Sequence, residues 1–148
     1  MRVLTGKGLT WGAIVVGALA TGRSLNAQML PVGTWVRQTT ASMPAMTMVV
    51  EACCNGGRRL TYHVVIQKTE TLLMVETRFD GAESPVLING KSSGETMAIK
   101  RVDDFHATTV LKLNGTLFGT ANGTLSKDGK TLTVEDDFSS GIGGNPVG

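Results

Sequence analysis

The most constraining feature of this chain is a rhythm. Short runs of alternating apolar and polar residues are interrupted about every ten residues by Asn-Gly or Asp-Gly. The breaks are Asn55-Gly56-Gly57, Asp80-Gly81, Asn89-Gly90, Asn114-Gly115, Asn122-Gly123 and Asp128-Gly129. These dipeptides supply the positive φ values that tight hairpin turns require. Leu60, Tyr62, Val64 and Ile66 alternate with Thr61, His63 and Gln67. Phe105, Ala107, Thr109, Leu111 and Leu113 alternate with His106, Thr108 and Lys112, and Leu132 and Val134 with Thr131, Thr133 and Glu135. A period of two gives each strand one apolar face, the mark of an antiparallel sheet. Threonine contributes 16 of residues 28–148, and its branched Cβ suits a pleated surface.

The pattern predicts nine strands, over 34–39, 46–52, 59–67, 71–79, 85–88, 95–102, 105–113, 116–126 and 130–137. No window beyond the N-terminal segment carries a helical stripe. The expected fold is all-β, an antiparallel up-and-down barrel or half-barrel of about eight or nine strands. Closing such a sheet removes its two hydrogen-bonding edges. A barrel of that size holds one small ligand.

The N-terminus reads differently. Arg2 and Lys7 precede an uncharged, mostly apolar run, Leu9 to Ala20, followed by small and polar residues. This order predicts a helical secretory signal peptide over 1–27, cleaved after Ala27 or after Ala20. The run is too short for a spanning helix, which needs about 18 apolar residues, so no stable membrane span is expected once the leader is removed. The expected location is periplasmic or secreted. Of the 14 Lys and Arg, three lie in the leader, which has no Asp or Glu; the remaining 11 face 12 acidic residues, for a net charge of −1. No basic stripe remains for nucleic acid. The segment 28–138 is long enough for one domain with its own core. Residues 139–148, SSGIGGNPVG, read as a flexible tail, stopping before a possible last strand.

Gly33-Thr34-Trp35, at the entrance of the first strand, resembles the Gly-x-Trp motif of lipocalins. Three stretches, VGTW (32–35), SGETMAIKRVDD (93–104) and LSKDGKTLTVE (125–135), resemble small exported lipocalin-like proteins of acidobacteria and related soil bacteria, themselves described as uncharacterised. The resemblance covers residues 30–138 and implies a signal peptide and a lipocalin-like barrel. Such chains commonly end with one further strand carrying a basic residue. Nothing after Asn145 resembles it, so an exposed edge is expected beside the first strand.

Cys53-Cys54 is the most unusual local feature. The plain reading is two thiols at a strand end, one in and one out; an intermolecular disulfide, a vicinal redox pair and metal capture are the alternatives. His63 and His106 fall on the wetter faces of their strands, and their spacing from the cysteines follows no metal-binding pattern, so no metal site is expected. Glu76 and Arg78 share one strand face and read as solvated. Asp103-Asp104 and Glu135-Asp136-Asp137 read as solvated strand ends. Asn114 and Asn122 open Asn-Gly-Thr triplets, read as turns.

No nucleophile–base set or phosphate-cradling loop stands out, so neither catalytic residues nor a cofactor is expected, and the chain is not read as an enzyme. The expected function is binding of a small, partly apolar ligand in a β-barrel cavity. The candidate ligand-binding residues are Trp35, Tyr62, Val64, Ile66 and Leu111, with Trp35 plugging the closed end. The alternative is an envelope protein–protein interaction or scaffold module that uses an open sheet edge.

Overall fold

The computed structural model describes residues 30–38 and 46–138, together with the strands Arg2–Gly6 and Ile14–Val16. The expected cleavage points and the tail 139–148 lie outside the described residues. Nine antiparallel strands run in chain order: β3 Gly33–Arg37, β4 Met46–Cys53, β5 Gly57–Ile66, β6 Thr69–Thr77, β7 Asp80–Ile88, β8 Lys91–Arg101, β9 His106–Leu113, β10 Thr116–Leu125 and β11 Thr131–Phe138. Each pairs with its sequence neighbours in one up-and-down sheet. The described residues contain no helix.

The sheet curls into a half-barrel because each strand turns one face inward. In β4 the inward residues are Met46, Met48 and Val50; in β6 they are Thr71, Leu73, Val75 and Thr77. Register aligns these faces into rows. Trp35 stands opposite Met48, Met48 opposite Tyr62, and Tyr62 opposite Leu73. One step along, Val50, Leu60 and Val75 form a second row. Trp35 and Val50 are completely buried. Full burial of such side chains contributes about 1.5–3 kcal/mol each. Leu125, Leu132 and Val134 from β10 and β11 belong to the same core as Trp35, so the first and last strands of the curl share one interior.

The hairpin turns have the chemistry their dipeptides predict. Asn89-Gly90 takes φ of 49° and 77°, and Asn114-Gly115 takes 49° and 81°. The β5–β6 turn is built instead from Gln67 and Lys68, at φ 49° and 63°, with no glycine to relieve them. The expected break at Asn122-Gly123 is corrected: both residues lie inside β10, paired to Glu135 and Val134 on one side and to Thr108 and Ala107 on the other. Two flanking ladders outweigh the local turn preference. The expected strand 85–88 begins at Asp80, because register shifts between Asp80 and Glu83 and between Pro85 and Leu87 absorb the residues that read as breaks.

Among the described residues, β3 has a ladder partner on one side only, β4. At the other end of the sheet, β11 pairs with β1 (Arg2–Gly6) in parallel, Val3 opposite Thr131 and Gly6 opposite Val134. β2 (Ile14–Val16) lies antiparallel to β1. These described parts of the expected helical leader are therefore extended. A sheet edge presents unpaired N–H and C=O groups, and an extended segment satisfies them.

Candidate functional site: an apolar cavity inside the half-barrel

The inward rows leave a cavity of about 160 Å³. Its wall is mostly aliphatic and thioether: Met46, Met48, Leu60, Leu73, Met97 and Ile99 are among its residues, with Phe79 and Phe105. Methionine side chains adapt to irregular shapes. Exposed Asp103 and Asp104 of the β8–β9 connection and His106 at the start of β9 also line it, so the cavity reaches the surface there.

That mouth is held by short polar contacts. Asp103 Oδ1 accepts the backbone N–H of Phe105 at 2.8 Å and of His106 at 2.9 Å, and lies 2.7 Å from His106 Nδ1. The N–H of Phe105, then the His106 ring, hold the Asp103 carboxyl below its usual pKa. Arg101 donates to Asp104 at 2.5 Å. The sequence expectation of a solvated acidic pair is accurate for exposure, but the pair also builds the loop.

Tyr62 and Glu95 are among the polar groups in the apolar wall. Tyr62 lines the cavity, and burial pushes its hydroxyl pKa up to about 12. Glu95, 3% exposed, is a buried carboxylate in the wall; Ser93 Oγ accepts its backbone N–H at 3.0 Å. Glu95 has the same strand parity as Met97 and Ile99, so the alternation pointed it inward, although its charge argued for solvent.

Of the five residues singled out in the sequence, Tyr62 and Leu111 line the cavity. Trp35 and Val64 belong to the packing around it. The Trp35 indole N–H donates to the Pro31 carbonyl at 3.2 Å. Arg58 Nε donates to the Leu30 carbonyl at 2.9 Å, tying the approach to β3 onto β5. Ile66 is half-buried beside the β5–β6 turn, opposite Thr69. The methionine lining was not singled out in the sequence, although Met46 and Met48 share the parity of Val50.

Glu76 and Arg78 face outward. Glu76 pairs with Arg59 at 2.7 Å and Arg78 lies 4.0 Å from Asp80, all on exposed side chains. Cys53 and Cys54 require a correction: they are bonded to each other, not separate thiols on opposite faces. The chain leaves the strand conformation at Cys54, where φ is 55°, followed by Asn55 at 54° and Gly56 at 92°. Strand alternation ends there, so the two side chains no longer point apart.

Fold and cavity together define an open antiparallel half-barrel with an apolar interior. No protein-family model matches the chain, and neither a curated protein nor a solved structure matches it.

Proposed function

We propose that the protein is an exported, non-catalytic binding protein that holds one small, compact, apolar molecule inside the half-barrel. The observation that carries this reading is the apolar cavity of about 160 Å³ with its opening at the β8–β9 connection. A dry apolar cavity of about 150 Å³ is known to take up benzene in another protein. That volume suits a single small ring or a short branched chain better than a long lipid. The resemblance of 32–35, 93–104 and 125–135 to small exported lipocalin-like proteins supports the same class and a periplasmic or secreted location. The test is a melting series with benzene, indole and short alkanols, alongside a Leu111→Trp variant that fills the cavity. The expected result is a higher Tm with at least one ring-sized compound for the native chain and none for the variant. A native melting temperature indifferent to every compound would overturn the reading.

A second reading, an envelope interaction module, is favoured by one observation: the β11 edge accepts Arg2–Gly6 as a parallel strand. An edge that accepts one extended segment suits β-strand addition from a partner. Crosslinking of a chain beginning at Gln28 tests it; strictly monomeric behaviour with no captured partner counts against it.

A further inference from the structure

We propose that the Cys53–Cys54 pair, once reduced, forms with Glu76 a binding site for a thiophilic divalent cation on the outer face of the half-barrel. The site lies outside the cavity and is independent of the ligand reading. The two sulfurs and a Glu76 carboxylate oxygen all lie within 4.8 Å of one another. Ligands sharing one zinc-like ion sit about 2.0–2.3 Å from it, which places sulfurs of a tetrahedral site roughly 3.5–4 Å apart. The Glu76 carboxylate is thus already within reach of both sulfurs, which are bonded to each other until reduction. The sulfurs must separate, and the turn that follows them is exposed at Asn55 and Gly56.

The surroundings favour a soft ion. Met74, two residues before Glu76 on the same face of β6, lines the same outer groove as Cys54 and Glu76. Thiolate and thioether donors select soft metals over magnesium or calcium. The groove exists because β6 and β7 pair only at Leu73–Ile88 and Met74–Leu87, and then splay.

Charge is also provided for. Arg59 Nε and a terminal guanidinium nitrogen both donate to Glu76 Oε1, at 2.9 and 2.7 Å. Arg59 stands opposite Glu51 in the β4–β5 register and opposite Glu76 in the β5–β6 register. When Glu76 turns to a cation, Arg59 keeps Glu51 as its acidic neighbour. Two thiolates and a carboxylate then face a divalent ion.

The chemistry balances with a dithiol reductant. The disulfide takes two electrons and two protons from the external dithiol, which becomes a disulfide, and yields two thiols. Cation binding forms two metal–sulfur bonds and releases the two thiol protons. The bonded form has no thiolate to offer, so binding is gated by oxidation state.

The experiment uses the full chain, reduced with dithiothreitol, desalted under argon, and titrated with Cd²⁺ while sulfur-to-metal charge-transfer absorption is followed. Two free thiols per chain are counted first with a chromogenic disulfide reagent, and circular dichroism checks that each variant keeps its β-sheet. The expected result is saturation at one equivalent per chain, displacement by Zn²⁺, and no band from the oxidised chain. Cys54→Ser should abolish the band, and Glu76→Gln should weaken binding by at least about tenfold, the loss typical of removing a group that supports a metal site. A disulfide that resists reduction, a reduced chain with two titrated thiols and no band, or a Glu76→Gln variant that binds as the native chain does would each overturn the proposal.

Discussion

Tyr62 shows how one side chain ties packing to pH. Its hydroxyl is desolvated, so the neutral phenol is favoured and its pKa rises to about 12 from about 10. The folded state therefore holds its proton over a range in which the unfolded chain has lost it. Stability from this group is fully present below about pH 10 and is lost as pH rises toward 12. Two units correspond to at most about 2.7 kcal/mol. Tyr62 is the only tyrosine in the chain, so alkaline difference absorbance reports it alone. A midpoint near 12 that coincides with loss of stability is the expected outcome; a midpoint near 10 in the folded protein would show that water reaches the hydroxyl. At the same scale, Leu60 is 2% exposed in the central row, and Leu60→Ala should cost about 2–5 kcal/mol in urea unfolding. A loss below about 1 kcal/mol would mean that the wall collapses onto the gap.

Among elements, the β5–β6 hairpin has a turn whose chemistry departs from its conformation. Gln67 and Lys68 both sit at positive φ without a glycine. Replacing Lys68 with Gly removes a Cβ from a left-handed position, where an ordinary residue costs about 1–2 kcal/mol. The expected gain is about 1 kcal/mol, offset in part by the greater freedom of glycine in the unfolded chain. The reverse change at a turn of matching chemistry, Gly90→Ala at φ 77°, should destabilise by a similar amount. Chemical denaturation of the two variants decides, and equal midpoints would show that these turns relax without cost. This hairpin also marks a limit of reading the sequence. Nothing in Gln67-Lys68 signals a turn. It was legible only as a gap between two alternating runs, because the nine-pair ladder from Arg58–Thr77 to Ile66–Thr69 imposes it.

The whole molecule turns on how the sheet closes. β3 and β11 share a core without a backbone ladder between them. A charge contact spans this seam: burial lowers the pKa of Arg37, and Asp136, on β11, opposes that shift. Arg37 is 7% exposed. Asp136→Asn should therefore destabilise the fold by about 1–3 kcal/mol, because a buried cation loses its acidic neighbour. An unchanged urea midpoint at neutral pH would show that solvent screens the seam. On the other side of β11, removal of residues 1–27 takes away the strand opposite Thr131–Val134. Faster hydrogen exchange at amides of that segment is expected, and unchanged protection would mean that another segment covers the edge.

The sequence by itself determined the strands and their order. Alternation and hairpin dipeptides place the nine strands in order, most of them to within a few residues, with β7 beginning five residues earlier than expected, because period-two patterning and left-handed turns are local properties. It also determined which faces turn inward, including that of Tyr62 and Leu111. Tertiary structure alone decided the rest. Whether Asn122-Gly123 makes a turn or runs straight depends on the ladders at both its sides. Whether Cys53 and Cys54 separate or bond depends on where β4 ends and the chain turns. The cavity depends on how far the sheet curls before β11 meets the core of β3. Each is a contact between residues distant in the chain or a conformation such contacts impose, and local pattern carries no record of it.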